Sequence, residues 1–179
     1  MRTPTIKIIF IAGLVAGTMD MVGALTVYAV LLHKASVMLI LQRIASAAIG
    51  PAALRGGWAT AWCGLLFHYL IAYSFTAAYV LLYPYLPLLR KNKLASGLLY
   101  GLLVWLIMNR IVLPLTKIQM APFQWGAALI GIALLMLCIG LPVAYITDAY
   151  YKKRDVEAGS LELATASSSG GEQGARAGS

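Results

Sequence analysis

Between Gly56 and Leu89 the chain carries no Lys, Arg, Asp or Glu. A helix of about 20 apolar residues crosses the ~30 Å hydrocarbon core of a bilayer, and this run exceeds that length. It holds one expected span, Trp58–Tyr83. Three further runs have the same character: Ile8–Leu32, interrupted only by Asp20; Leu94–Leu115, with Asn109 and Arg110 late in it; and Phe123–Ala149, free of formal charge until Asp148. Inside lipid every backbone N–H and C=O needs a partner within the protein, so spanning segments are helices or closed barrels. Nothing here alternates over about ten residues as barrel strands do. The expectation is an all-α, integral membrane four-helix bundle.

Composition agrees. Hydrophobic residues make up 61% of the 179 and charged residues 11%, against roughly a quarter charged in soluble domains. An ordinary soluble enzyme, a disordered chain and a disulfide-stapled module are excluded. Arg2 and Lys7 before an apolar run imitate a signal peptide, but the run continues to Leu32 and is read as a retained first span. Cys63 and Cys138 lie within apolar runs without metal-ligand spacing and read as small buried hydrophobes.

The net charge of +8 sits mainly between the apolar runs, so it reads as membrane orientation rather than as a nucleic-acid surface. With four spans both termini share a side. That side collects Arg2, Lys7, Arg90, Lys91, Lys93, Lys152, Lys153 and Arg154; the other collects Lys34, Arg43, Arg55, Lys117 and Arg110. The bias places both termini in the cytoplasm. Trp58, Trp62, Tyr83, Tyr85, Trp125, Tyr150 and Tyr151 lie near span ends, as interfacial anchors do; Trp105 does not. Residues 152–179 read as a basic stop followed by a Ser/Gly/Ala-rich disordered cytoplasmic tail.

Between spans one and two, Val37, Leu41, Ile44 and Ala48 recur at helical spacing, with Gln42, Arg43 and Ser46 expected on the opposite face. Segment 36–50 is too short to span. It reads as an amphipathic helix in the headgroups, or as a re-entrant helix forming a lid or pocket wall on the outer side. Pro51 and Gly56–Gly57 punctuate it.

Gly13 with Gly17, and Gly97 with Gly101, have the G-x-x-x-G spacing that lets helix backbones approach closely. They point to a tight bundle, with a homodimer or a larger membrane complex left open. Pro114 and Pro142 are placed to kink or end spans three and four.

Asp20 is the sharpest polar signal. A carboxylate at the centre of a span costs about 2.5–3.5 kcal/mol on insertion scales unless it is neutral, paired or wetted. His68 lies at a similar fraction of the antiparallel second span. The two form a candidate proton-relay pair. Alternatively they form a structural bond, or Thr18 satisfies Asp20. Asn109 and Arg110 complete the candidate intramembrane centre, with Arg110 either snorkelling outward or pairing with Asp20. Gln42, Arg43 and His33 are outer-side candidates. His33 and His68 are too far apart in depth to share a haem, no third ligand accompanies either, and neither metal nor cofactor is expected. Asp148 with Lys152 reads as a helix-end ion pair.

No nucleotide-binding, zinc-protease or nucleophile-elbow motif occurs. Catalytic residues are not expected. The stretches IAGLVAGTMD, LQRIASAAIGPAALRGGWATAWCGLLFHYLIAYSFTAAYVL, GLLYGLLVWLIMNRIVLPLT and GLPVAY resemble the YagU-type, acid-resistance-associated bacterial inner-membrane proteins and their uncharacterised relatives. The resemblance covers about Ile8 to Tyr150. It is carried by Gly13, Gly17, Asp20, Gln42, Gly50, Gly56, Gly57, His68, Asn109 and Pro114. It implies a multi-pass inner-membrane protein and transfers no catalytic or ligand residue. Two functions follow as expectations: a small proton-linked or solute transporter or channel-like protein, or an accessory subunit of a membrane complex that moves nothing. An enzyme acting on a lipid or quinone ranks behind both, because no complete reactive constellation is present.

Overall fold

A computed structural model describes the backbone of residues 3–116 and 124–177 and the side chains of residues 5–116 and 124–160. Lys117 and Phe123 lie outside the described residues. The chain is an all-α, multi-pass membrane protein. Among the described residues four helices are long and apolar enough to cross a bilayer: Thr5–Leu31, Gly57–Leu82, Lys93–Leu115 and Trp125–Ser160.

In chain order, α1 is Thr3–Leu25, continued by a π-helical stretch Thr26–Leu31. Helix α2 is Val37–Ile49, followed by a 3-10 turn Pro51–Arg55. Then come α3, Gly57–Leu82, and the short α4, Pro87–Lys91. Helix α5 is Lys93–Ile107, continued by a π stretch Met108–Val112 and the single turn α6, Leu113–Leu115. Helix α7 is Trp125–Leu134, joined through a third π stretch, Leu135–Gly140, to α8, Leu141–Ala177.

The chain falls into two compact units, Met1–Thr147 and Asp148–Ser179. Within the second, Lys152 Nζ meets Asp148 Oδ2 at 2.9 Å, the i,i+4 pair expected at the helix end. The helical backbone continues to Ala177, beyond the expected end at Ala149 and through the segment read as a disordered tail. The i,i+4 pair Lys153–Glu157, at 3.9 Å, supports its beginning.

Spans one and two are antiparallel. Thr18 Oγ1 and Tyr69 OH lie 2.8 Å apart near the middle of both, and Phe10 stacks on Tyr73 at 5.8 Å between ring centroids. Gly13 sits beneath the Tyr73 ring and Gly17 beneath Tyr69 and Ala72. Spans three and four touch backbone to backbone. A Cβ added at Gly97 would stand 2.9 Å from the Gly140 carbonyl oxygen, and one added at Gly101 would collide with the backbone of Leu135 and Met136. Both G-x-x-x-G pairs are thus occupied by contacts within the chain.

The prolines explain two of the π stretches. Proline has no N–H, and its ring crowds the carbonyl four residues earlier. Pro114 follows Met108–Val112 and Pro142 follows Leu135–Gly140. In each case the preceding turn widens to i→i+5 bonding rather than ending the helix. Span three consequently packs closely along Leu135–Gly140 but touches α7 only sparsely.

The face of α2 differs from the sequence expectation. Leu41, Gln42, Ala45 and Ser46 are buried, whereas Val37 and Ala48 are exposed. Leu41 packs with Met21 of α1 and Ala61 of α3, flanked by Leu25, Met38, Ile44 and Leu65. Burial of Gln42 is compensated because its Nε2 donates to the Gly57 carbonyl at 3.0 Å. Gly50 and Gly57 have φ of 86° and 59°, left-handed backbone that favours glycine and lets the chain turn into and out of the 3-10 segment.

The glycine contacts predict that Gly140→Ala lowers stability by about 1–3 kcal/mol through overpacking. Gly126→Ala, whose added Cβ meets nothing within 4 Å, should leave it unchanged. Thermal unfolding midpoints of the purified variants check this.

Candidate functional site

A cavity of about 920 Å³ opens among spans one to four and α2. Its outer wall includes Tyr28, Arg43, Ser46, Pro51, Leu54 and Gln124, and its deeper part Asp20, His68, Ala72, Phe75, Val104 and Ile139. From Tyr28 to Asp20 is eight residues of span one, about 12 Å of descent. The cavity therefore reaches the middle of the bundle from the α2 side.

Below it lies a cluster of tyrosines, with a smaller pocket of about 330 Å³ between α4 and α5. Tyr79 and Tyr83 are almost wholly buried. Tyr79 OH lies 3.0 Å from Ser96 Oγ, the Tyr79 and Tyr100 rings meet edge to face at 4.7 Å, and Tyr100 OH donates to the Phe75 carbonyl at 2.6 Å. Beside this aromatic cluster lies the glycine contact between spans three and four.

All three π stretches contribute to the cavity wall: Tyr28 from the first, Met108 and Asn109 from the second, Leu135 and Ile139 from the third. Such turns leave backbone carbonyls outside the regular ladder. Asn109 answers this directly, its Nδ2 donating to the Trp105 carbonyl at 2.9 Å.

Asp20 and His68 line the same cavity within electrostatic reach of one another. They do not bond directly. His68 Nε2 donates instead to the Gly17 carbonyl at 2.9 Å, a backbone acceptor on the facing helix. Thr18, the alternative partner for Asp20, bonds Tyr69. Among the described residues no side chain forms a hydrogen bond or ion pair with the Asp20 carboxyl.

The remaining candidates separate. Asn109 and Arg43 line the cavity; Arg110 does not, and it is exposed. The Asp20–Arg110 pair is not formed, because Arg110 turns to the exterior of span three. Gln42 is withdrawn from the cavity into the α2–α3 corner. His33 is an exposed loop residue with φ 49° and does not line the cavity. Sequence reasoning missed Tyr28, Phe75, Gln124 and Trp105. Trp105 offered one signal, as the tryptophan that lies away from a span end; its indole Nε1 rests against Gly131. Among the described residues no group of three His, Cys, Asp or Glu is placed to hold a metal ion.

If the cavity is wet, water-soluble thiol reagents applied from the α2 side should label Tyr28→Cys and Asn109→Cys in a Cys63→Ser, Cys138→Ala background. Val143→Cys, at a fully buried position, should stay unlabelled. Mass spectrometry of the intact protein reads both.

No family model, curated protein or solved structure matches the chain.

Proposed function

We propose that this is a small proton-linked solute transporter, with Asp20 as its proton- and solute-binding carboxyl and His68 as the group that tunes it. The observation that carries this reading is the cavity that runs from α2 past Asp20 and His68 to Phe75, with the Tyr79–Tyr100 cluster and the Gly97–Gly140 contact beyond. A carboxylate without a protein partner at mid-span is costly for a protein that only packs, but useful to one that exchanges a proton for a solute.

Helix α2 is then a re-entrant wall. Leu41 meets Met21, which is three residues from the central Thr18, so about 4.5 Å along the helix. A helix lying in the headgroups would sit some 15 Å from the midplane. The basic clusters Arg2/Lys7, Arg90/Lys91/Lys93 and Lys152/Lys153/Arg154 support cytoplasmic termini. With them, the resemblance to YagU-type proteins supports a bacterial inner-membrane location, the cavity opening away from the cytoplasm.

Proteoliposomes loaded with a pH-sensitive dye test the reading against a panel of small solutes. At least one solute should move protons with the wild-type protein, and Asp20→Asn should reduce that flux by about tenfold or more while the protein stays folded. An accessory subunit would tolerate Asp20→Asn, show no solute-dependent proton flux and co-purify with a partner.

A further inference from the structure

The cavity's chemistry narrows the class of solute, an inference that rests on the transport reading above. Its deep wall has one formal acid, Asp20, whose carboxyl is unpartnered among the described residues. Three hydrogen-bond donors of the cavity are engaged with backbone. His68 Nε2 donates to Gly17, Asn109 Nδ2 to Trp105, and Ser46 Oγ to the Arg43 carbonyl at 2.7 Å. An anion would find no lysine or arginine at the floor, since Arg43 is exposed in the outer wall, where water and salt screen it. The sign of the site is set deep in the low-dielectric region, by Asp20.

Aromatic residues share the cavity with that acid. Phe75, Trp105 and Tyr28 line the same space, and aromatic faces attract cations. The volume of about 920 Å³ is that of a site for a drug-sized molecule.

We propose that the solute is a monovalent organic cation with an apolar body, its charge held by Asp20 and its body by Phe75, Trp105 and Tyr28. Binding exchanges one proton for one cation: the Asp20 carboxylic acid releases its proton to water, and the carboxylate so formed holds the incoming charge. Charge in the site is conserved. The titratable or charged groups that face Asp20 are His68 from α3, Tyr28 from span one itself, Arg43 from α2 and Cys138 from the π stretch before α8; spans three and α7 contribute Asn109 and Gln124, which do not titrate.

The test uses the purified full-length chain in nanodiscs, with empty nanodiscs subtracted. Tetraphenylphosphonium and tetraphenylborate are matched in size and opposite in charge. Calorimetry in buffers of different ionisation heat should show saturable binding of the cation, release of one proton per cation, and weaker binding as pH falls. The borate should not bind saturably. Asp20→Asn should weaken cation binding by at least about tenfold, and Trp105→Leu by ~3- to 10-fold. Equal binding of the two ions, no binding of the cation by wild type, or cation binding indifferent to Asp20→Asn overturns the proposal. Where Asp20→Asn does not fold, the wild-type proton release and the Trp105→Leu affinity decide: absence of the first, or no change in the second, overturns it. Failure of this proposal alone would appear as no cation binding alongside Asp20-dependent proton flux with another solute. Failure of the transport reading would appear as neither.

Discussion

Spans three and four meet so closely at Gly97, Gly101 and Gly140 that no side chain fits between them. The rest of the bundle is arranged around that contact. It pins the two spans together in one half of the protein. In the other half Pro114 widens the turn before it, and span three parts from α7. Bundles with small residues at one end and bulky ones at the other splay, because packing in lipid rewards close backbone approach where it is available. The wedge opened here is walled by α2 rather than by a fifth span.

What lies at the apex of the wedge gives it meaning. Asp20 comes two residues after the mid-level Thr18 on α1, and His68 just before Tyr69 on α3. The tyrosines on the other side of them tie Ser96 and the Phe75 carbonyl into a closed floor. Asp20 and His68 therefore lie between the cleft walled by α2 and the tyrosine and glycine contacts of the other half. A conformational change that opened the floor would have to part the Gly97–Gly140 contact or break the Tyr100–Phe75 bond, so those are the elements on which alternating access would turn.

Much of this was legible in the residues. Run length and absence of charge identified the four spans, because the bilayer imposes a length on every crossing helix. Asp20 stood out for its cost, and the glycine spacings marked close packing. The face of α2 was misread. Periodicity counts apolar residues, and it could not show that Gln42 would find the Gly57 carbonyl and so be buried. The partner of His68 was hidden for the same reason: a backbone carbonyl such as that of Gly17 has no signature in side-chain types. Arg110 drew attention by its charge, yet a long basic side chain near a span end is equally stable turned outward. The π stretches were half visible, in Pro114 and Pro142; the one at Thr26–Leu31 has no such marker.

The claim on which the account depends is that Asp20 is connected to water through the cavity. Difference infrared spectroscopy of the protein in nanodiscs, with Asp20→Asn as reference, observes that carboxyl directly. The account predicts a C=O band that titrates with bulk pH, exchanges in heavy water and shifts in His68→Ala. A band that neither titrates nor exchanges would show a sealed structural group and contradict it.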